Sequence, residues 1–99
     1  MSQPRFLSVD PATLRLPWGR RDGADPGKYQ RQLSRYGKSI AGMRPIEVTR
    51  GSDGELMINN GVTRATRVAR LLPGTLVPVE VIDELRVPLG HLPRVGDQL

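Results

Sequence analysis

A chain of 99 residues with 37% hydrophobic and only 4% aromatic residues has room for one modest domain, whose core must come mainly from Val, Leu and Ile. The absence of cysteine excludes a disulfide framework, a cysteine nucleophile and thiolate metal sites. The single histidine, His91, cannot support a zinc site of the usual kind, so no metal is expected.

The net charge of +5 is uneven: residues 1–50 carry ten Lys/Arg against four Asp/Glu, and residues 51–99 carry five against six. Such an excess favours an anionic partner: nucleic acid, a nucleotide or an acidic protein face. No apolar run approaches the roughly 18 residues of a membrane helix, and no signal peptide is evident. A cytoplasmic protein without membrane association is therefore expected.

In chain order, Phe6-Leu7-Ser8-Val9 reads as a short strand stopped by Asp10-Pro11. Leu14 to Trp18 is a short extended piece, and its lone Trp is expected in the core. Gly19 to Gly27 has turn chemistry and no apolar period. From Lys28 to Ser39 the spacing predicts a helix, with Tyr29, Leu33, Tyr36 and Ile40 on one face and Arg31, Gln32, Arg35 and Lys38 opposite. Gly42 ends it. Residues 45–50 and 55–58 read as two strands joined by Gly51-Ser52-Asp53-Gly54, a hairpin loop. Thr63 to Leu72 shows an i, i+3, i+4, i+7 stripe of Ala65, Val68, Ala69 and Leu72, closed by Pro73-Gly74. Thr75 to Ile82 is the strongest strand pattern. Its Pro78 has no N–H, so the strand should lie near an edge or turn that nitrogen outward. Residues 1–83 are expected to form the domain and residues 84–99 a Pro/Gly-containing tail. The fold class is α/β (α+β): a small mixed sheet with a few packed helices.

Met57 to Leu72 concentrates the chemistry. A strand runs into an Asn59-Asn60-Gly61 turn and then a helix opening on Thr63 and Arg64. A helix start exposes unpaired N–H groups at the positive end of the dipole, and Arg64 and Arg67 lie one turn apart. Asn60, Gly61, Thr63, Arg64 and Arg67 therefore form a candidate phosphate site. Thr63 is expected to cap the helix and contact the phosphate, and Arg70 to be plain surface. Trp18 beside Arg20-Arg21 could also stack on a base; Arg20, Arg21 and Arg44 are further candidate nucleic-acid contacts. Glu47 and Asp53 are the carboxylates considered as bases or metal ligands.

The order helix, Gly42, Pro45-Ile46-Glu47-Val48, Asp53-Gly54 hairpin, Ile58-Asn59-Asn60-Gly61-Val62-Thr63-Arg64, helix, Pro73-Gly74, Val77-Pro78-Val79 resembles the ParB/sulfiredoxin superfamily over roughly residues 30–83. Gly61 and Arg64 match the second box of partition proteins, and Arg20 or Arg21 falls near the place of an arginine in the opening segment. The resemblance implies a mixed sheet with the second-box helix facing a nucleotide or phosphodiester. It also makes Glu47 the nearest candidate for a general base. Val62 stands where partition proteins have glutamate, and sulfiredoxin chemistry needs a cysteine this chain lacks.

Three functions follow. The first is a ParB-like module binding a nucleotide, with or without magnesium, or a nucleic acid at the helix start. The second is a nuclease or phosphotransferase of the same fold, of toxin or effector descent. The third is a protein-interaction domain, with a protein partner or homodimer, that has lost the ligand.

Overall fold

The computed structural model describes residues 5–99. Four strands form one mixed sheet: β1 (Phe6–Val9), β2 (Ile46–Arg50), β3 (Leu56–Asn60) and β4 (Val77–Glu84), in the order β1-β4-β2-β3. The β1–β4 and β2–β3 pairs are antiparallel, and β2–β4 is parallel. Two helices, α1 (Pro26–Tyr36) and α2 (Val62–Leu71), and three short 3-10 turns complete an α+β fold.

Both helices start earlier than the apolar period predicts, because backbone chemistry at the ends decides. Asp25 caps α1 by accepting from Lys28 N at 2.9 Å, and Pro26 occupies the first turn, where its fixed φ fits and its missing N–H costs nothing. Gly37, at φ +54°, ends the helix, which leaves Ile40 outside it and 38% exposed. The start of α2 is set by Gly61 at φ +119°, with no side-chain cap. Thr63 is therefore not the cap but a residue of the first turn. A left-handed backbone is cheap only for glycine, and the chain must reverse within that one residue between β3 and α2.

The main core joins Ile46 and Val48 of β2, Ile58, Val77 and Val79 to Ala65, Val68 and Ala69 of α2, with Leu14, Leu16 and Val95. Successive strand residues face opposite sides. Ile58 thus enters this core while Met57 faces the other side and packs with Leu89 and Leu92. Residues 85–94 hold no helix or strand, and Val95–Gln98 forms a 3-10 turn. They are nonetheless packed: Leu89, Leu92 and Val95 are buried, and Val95 N donates to Leu14 O at 2.9 Å.

Two expectations need correction. Trp18 is not core: it stands 52% exposed in a 3-10 turn at Trp18–Arg20. This strip contributes Leu14 and Leu16 to the core instead, both buried, on either side of Arg15. Second, β4 is an interior strand, not an edge. Val81 N donates to Arg5 O across the β1 side. By alternation the Pro78 nitrogen faces β2, whose ladder begins only at Ile46 opposite Val79. Pro78 sits just ahead of the paired stretch, so its missing donor removes no ladder bond.

Candidate functional site

The start of α2, the end of β3, the exposed face of α1 and the Trp18–Arg20 turn enclose a cavity of about 470 Å³. Its wall includes Asn60, Gly61, Thr63 and Arg64, four of the five residues the sequence assigns to a phosphate. It also includes Arg20. The other basic groups are Lys28, Arg31 and Arg35, of which Arg31 and Arg35 belong to the face of α1 that the sequence pattern sets opposite its apolar stripe. Five cationic side chains thus face one carboxylate, Asp25. The signal for the α1 contribution was present in the charge excess of the first half. What the sequence could not supply was that this helix face would turn toward the α2 start.

Local bonding explains how the wall is held. The first intrahelical bond of α2 is Ala65 N to Gly61 O, at 2.9 Å, so the N–H groups of residues 62–64 precede the helix's own ladder and lie at the cavity wall. Asn60 Nδ2 donates to Glu47 Oε1 at 3.3 Å, and Asn59 pairs with Thr49 through two side-chain bonds of 2.7 and 3.0 Å. Arg64 folds back over Gly61: a Cβ at position 61 would lie 2.9 Å from Arg64 Nη2 and 3.2 Å from Ile46. Gly61 therefore serves two ends, the positive φ and the seat of this guanidinium. Arg64 Nη1 donates to the carbonyls of Arg44 at 2.9 Å and Pro45 at 3.4 Å. Burial, then the like charge of Arg44, lowers the Arg64 pKa from its ordinary value, partly countered by Glu47. The guanidinium remains a cation, crowded and partly desolvated, which an incoming anion would relieve.

Arg67 is placed differently from Arg64. Only 2% of it is exposed. Its Nη1 donates to Gly37 O and Ser39 O, both at 2.8 Å, and its guanidinium lies 5.3 Å from the Tyr36 ring centroid. The sequence assigns Arg67 to the phosphate site; the structure leaves it out of the larger cavity's wall, and its head braces the start of the α1–β2 connection. Arg64 braces the end of the same connection, so the two arginines hold its two ends. Arg70, expected as plain surface, is exposed but sets its guanidinium 4.8 Å from the Tyr29 ring, tying α2 to α1.

A second cavity of about 400 Å³ adjoins the first and shares Gln32, Tyr36, Asn60 and Arg64 with it. Arg44 and Arg67 line it. Two buried polar atoms in this neighbourhood, Gln32 Oε1 and Arg67 Nε, have no hydrogen-bond partner. Arg21 is exposed at the end of its turn and is not among the residues lining the larger cavity.

The carboxylates take local roles. Asp25 has a pKa below the ordinary carboxylate value: the Lys28 N–H that donates to it outweighs the opposing effect of burial, and the charges of Lys28, Arg20 and Arg31 add to the lowering. It is the α1 cap. Glu47 accepts from Asn60 and is not part of the larger cavity's wall. Asp53, far from the cavity, accepts from Gly90 N at 2.8 Å and from Leu89 and Glu55 N at 3.2 Å, pinning the C-terminal segment to the hairpin. Among the described residues, no group of three or more His, Asp or Glu side chains comes together that could hold a metal ion. Among them, too, no helix is long and apolar enough to cross a membrane. Comparison with family models, curated proteins and solved structures gives no match to this chain.

Proposed function

We propose that this chain is a ParB-like, cytoplasmic binding module for a phosphate-bearing ligand, a nucleotide or nucleic acid. The ligand would be gripped at the start of α2 by Asn60, Gly61, Thr63 and Arg64 together with Arg20, Lys28, Arg31 and Arg35. One observation carries the reading: five cations and an uncapped helix start line one concave space, against a single carboxylate already committed to capping α1. Like charges gathered without counter-charges raise the energy of the empty site, and a bound phosphate lowers it. The superfamily resemblance over residues 30–83 supports the same place, through Gly61 and Arg64. Binding is preferred to turnover because a base would have to reach the bound phosphate. Asp25 is held ionised by Lys28 N–H, which makes it a weak base, and Glu47 lies against Asn60.

Thermal-shift and direct-binding measurements against inorganic pyrophosphate, nucleotides and short DNA and RNA, with and without magnesium, test this. A ligand at a hundred times its Kd should add about 2.7 kcal/mol of stability, and the gain should fall as salt rises. No response to any of these anions, or a response untouched by replacing Arg31 and Arg35, would overturn the proposal.

A further inference from the structure

We infer that the ligand of this cleft is a single-stranded nucleic acid. The inference rests on the phosphate-binding reading above and narrows its chemistry.

The cations form a row and not a point. Lys28, Arg31 and Arg35 are spaced three and four residues apart, so they share one face of α1. At about 1.5 Å per residue they extend over roughly 10 Å. Arg20 and Arg64 line the same cavity, and Arg44 lines the adjoining one. A row of this length suits successive phosphates of one backbone better than a single phosphate group.

Aromatic rings accompany the row. Trp18 is the sole tryptophan, and 52% of it is exposed. Its neighbours Pro17 and Arg20 line the cavity, and its own ring lies 6.4 Å from that of His91, outside the cavity wall. Tyr36 is 42% exposed and belongs to the wall shared by both cavities, with the guanidiniums of Arg35 and Arg67 at 5.5 and 5.3 Å from its ring centroid. An exposed indole bears a hydration cost that a stacked base removes, and every base offers a suitable face. In a duplex those faces are already stacked on their neighbours, so they are open to Trp18 only in a single strand. Gln32 lines both cavities, and its amide can pair with a base edge or a sugar hydroxyl.

The lone tryptophan makes the test direct. Oligo(dT) and oligo(U) of about twelve nucleotides, the duplex of the same length and inorganic pyrophosphate are titrated into the intact chain. Trp18 emission is followed together with the anisotropy of labelled strands. Both single strands should quench Trp18 and bind at least about tenfold more tightly than the duplex, with the tighter one identifying the preferred sugar. Pyrophosphate should bind without quenching. Trp18→Ala should weaken the single strands by about tenfold and leave pyrophosphate affinity and Tm unchanged. If pyrophosphate or a mononucleotide binds, but Trp18 emission does not respond to the strands and Trp18→Ala binds them like the parent, the single-strand inference fails while the anion site stands. A duplex that binds as tightly as the single strands also overturns it. If no anion binds at all, the site itself is wrong.

Discussion

The two ends of β3 handle charge in opposite ways. At its start, around the hairpin, charges are matched. Arg15 meets Glu55 through Nε at 2.7 Å and Nη2 at 2.6 Å and donates to Leu92 O at 2.9 Å; Arg50 meets Glu84 at 3.1 Å. Asp53 collects three backbone N–H groups. At its finish, beyond Asn60, cations gather around a cavity with one carboxylate among them. The first arrangement holds chain segments together: the Leu14–Leu16 strip and the C-terminal wrap both hang from it. The second leaves electrostatic energy unsatisfied, as a binding surface requires. Composition alone does not separate the two uses of arginine. What separates them is whether the sheet brings a carboxylate or carbonyl within reach of each guanidinium.

Arg67 is the strongest test of that distinction, because it belongs to the cationic end by sequence and to the braced kind by burial. Arg67→Ala removes two charge-assisted bonds and a packed stem, at a cost of roughly 3 kcal/mol. At about 4–8 °C per kcal/mol, Tm should fall by roughly 12–24 °C. Binding of oligo(dT) measured well below that Tm should change less than about threefold. An unchanged Tm with lost binding would restore Arg67 to the phosphate site.

Arg64 straddles the comparison. Its Nη1 is used on Arg44 O and Pro45 O, while the rest of the guanidinium lines the cavity. Arg64→Ala should weaken anion binding by roughly tenfold to a hundredfold and also cost about 1 kcal/mol of stability. A stability loss with unchanged binding would make it a brace like Arg67. Replacing Arg31 and Arg35 together by Gln should do the reverse. Tm should hold within the equivalent of about 0.5 kcal/mol, since both are exposed. The slope of log affinity against log salt should drop by about two. A slope that does not move would mean that the α1 cations are bystanders.

Legibility in the sequence followed the range of the interactions. The β2–β3 hairpin and α2 were readable because alternation, Asp53-Gly54 and the Ala65-Val68-Ala69-Leu72 stripe are local signals. The α1 boundaries shifted because Asp25-Pro26 and Gly37 outweigh the apolar period that Ile40 seemed to extend. The burial of Leu89 and Leu92 had no periodic signature: it follows from Asp53 capturing N–H groups 36 and 37 residues away. At the cleft, Gly61 and Arg64 were visible as a motif, whereas Arg31, Gln32 and Arg35 read only as the polar side of a helix. Their place in the wall depends on the packing of α1 against α2, made through Tyr29–Arg70 and Tyr36–Arg67, and no local pattern encodes that pairing. Trp18 is exposed although tryptophan is commonly buried, because Leu14 and Leu16 are the residues this strip contributes to the core.

The smallest effect belongs to Asp53, at the matched end. Burial raises its pKa, but the N–H groups of Leu89, Gly90 and Glu55 outweigh this and hold it below the ordinary 3.8. The folded chain then binds fewer protons at this site than the unfolded chain. The contribution to stability is full above the unfolded value and is lost as pH falls through the lower folded value. Asp53→Asn offers the same N–H groups one neutral oxygen and a competing donor. Tm should fall by a few degrees at neutral pH, and the gap to the parent should close as the acid range is entered. The carboxylate is exposed, so moderate salt should shrink the gap further. Oligonucleotide binding should be untouched, because the proposed site lies at the other end of β3. Parallel pH profiles for parent and variant would show that the C-terminal wrap does not hang from this carboxylate. Any change in binding would show that the two ends of the strand are coupled.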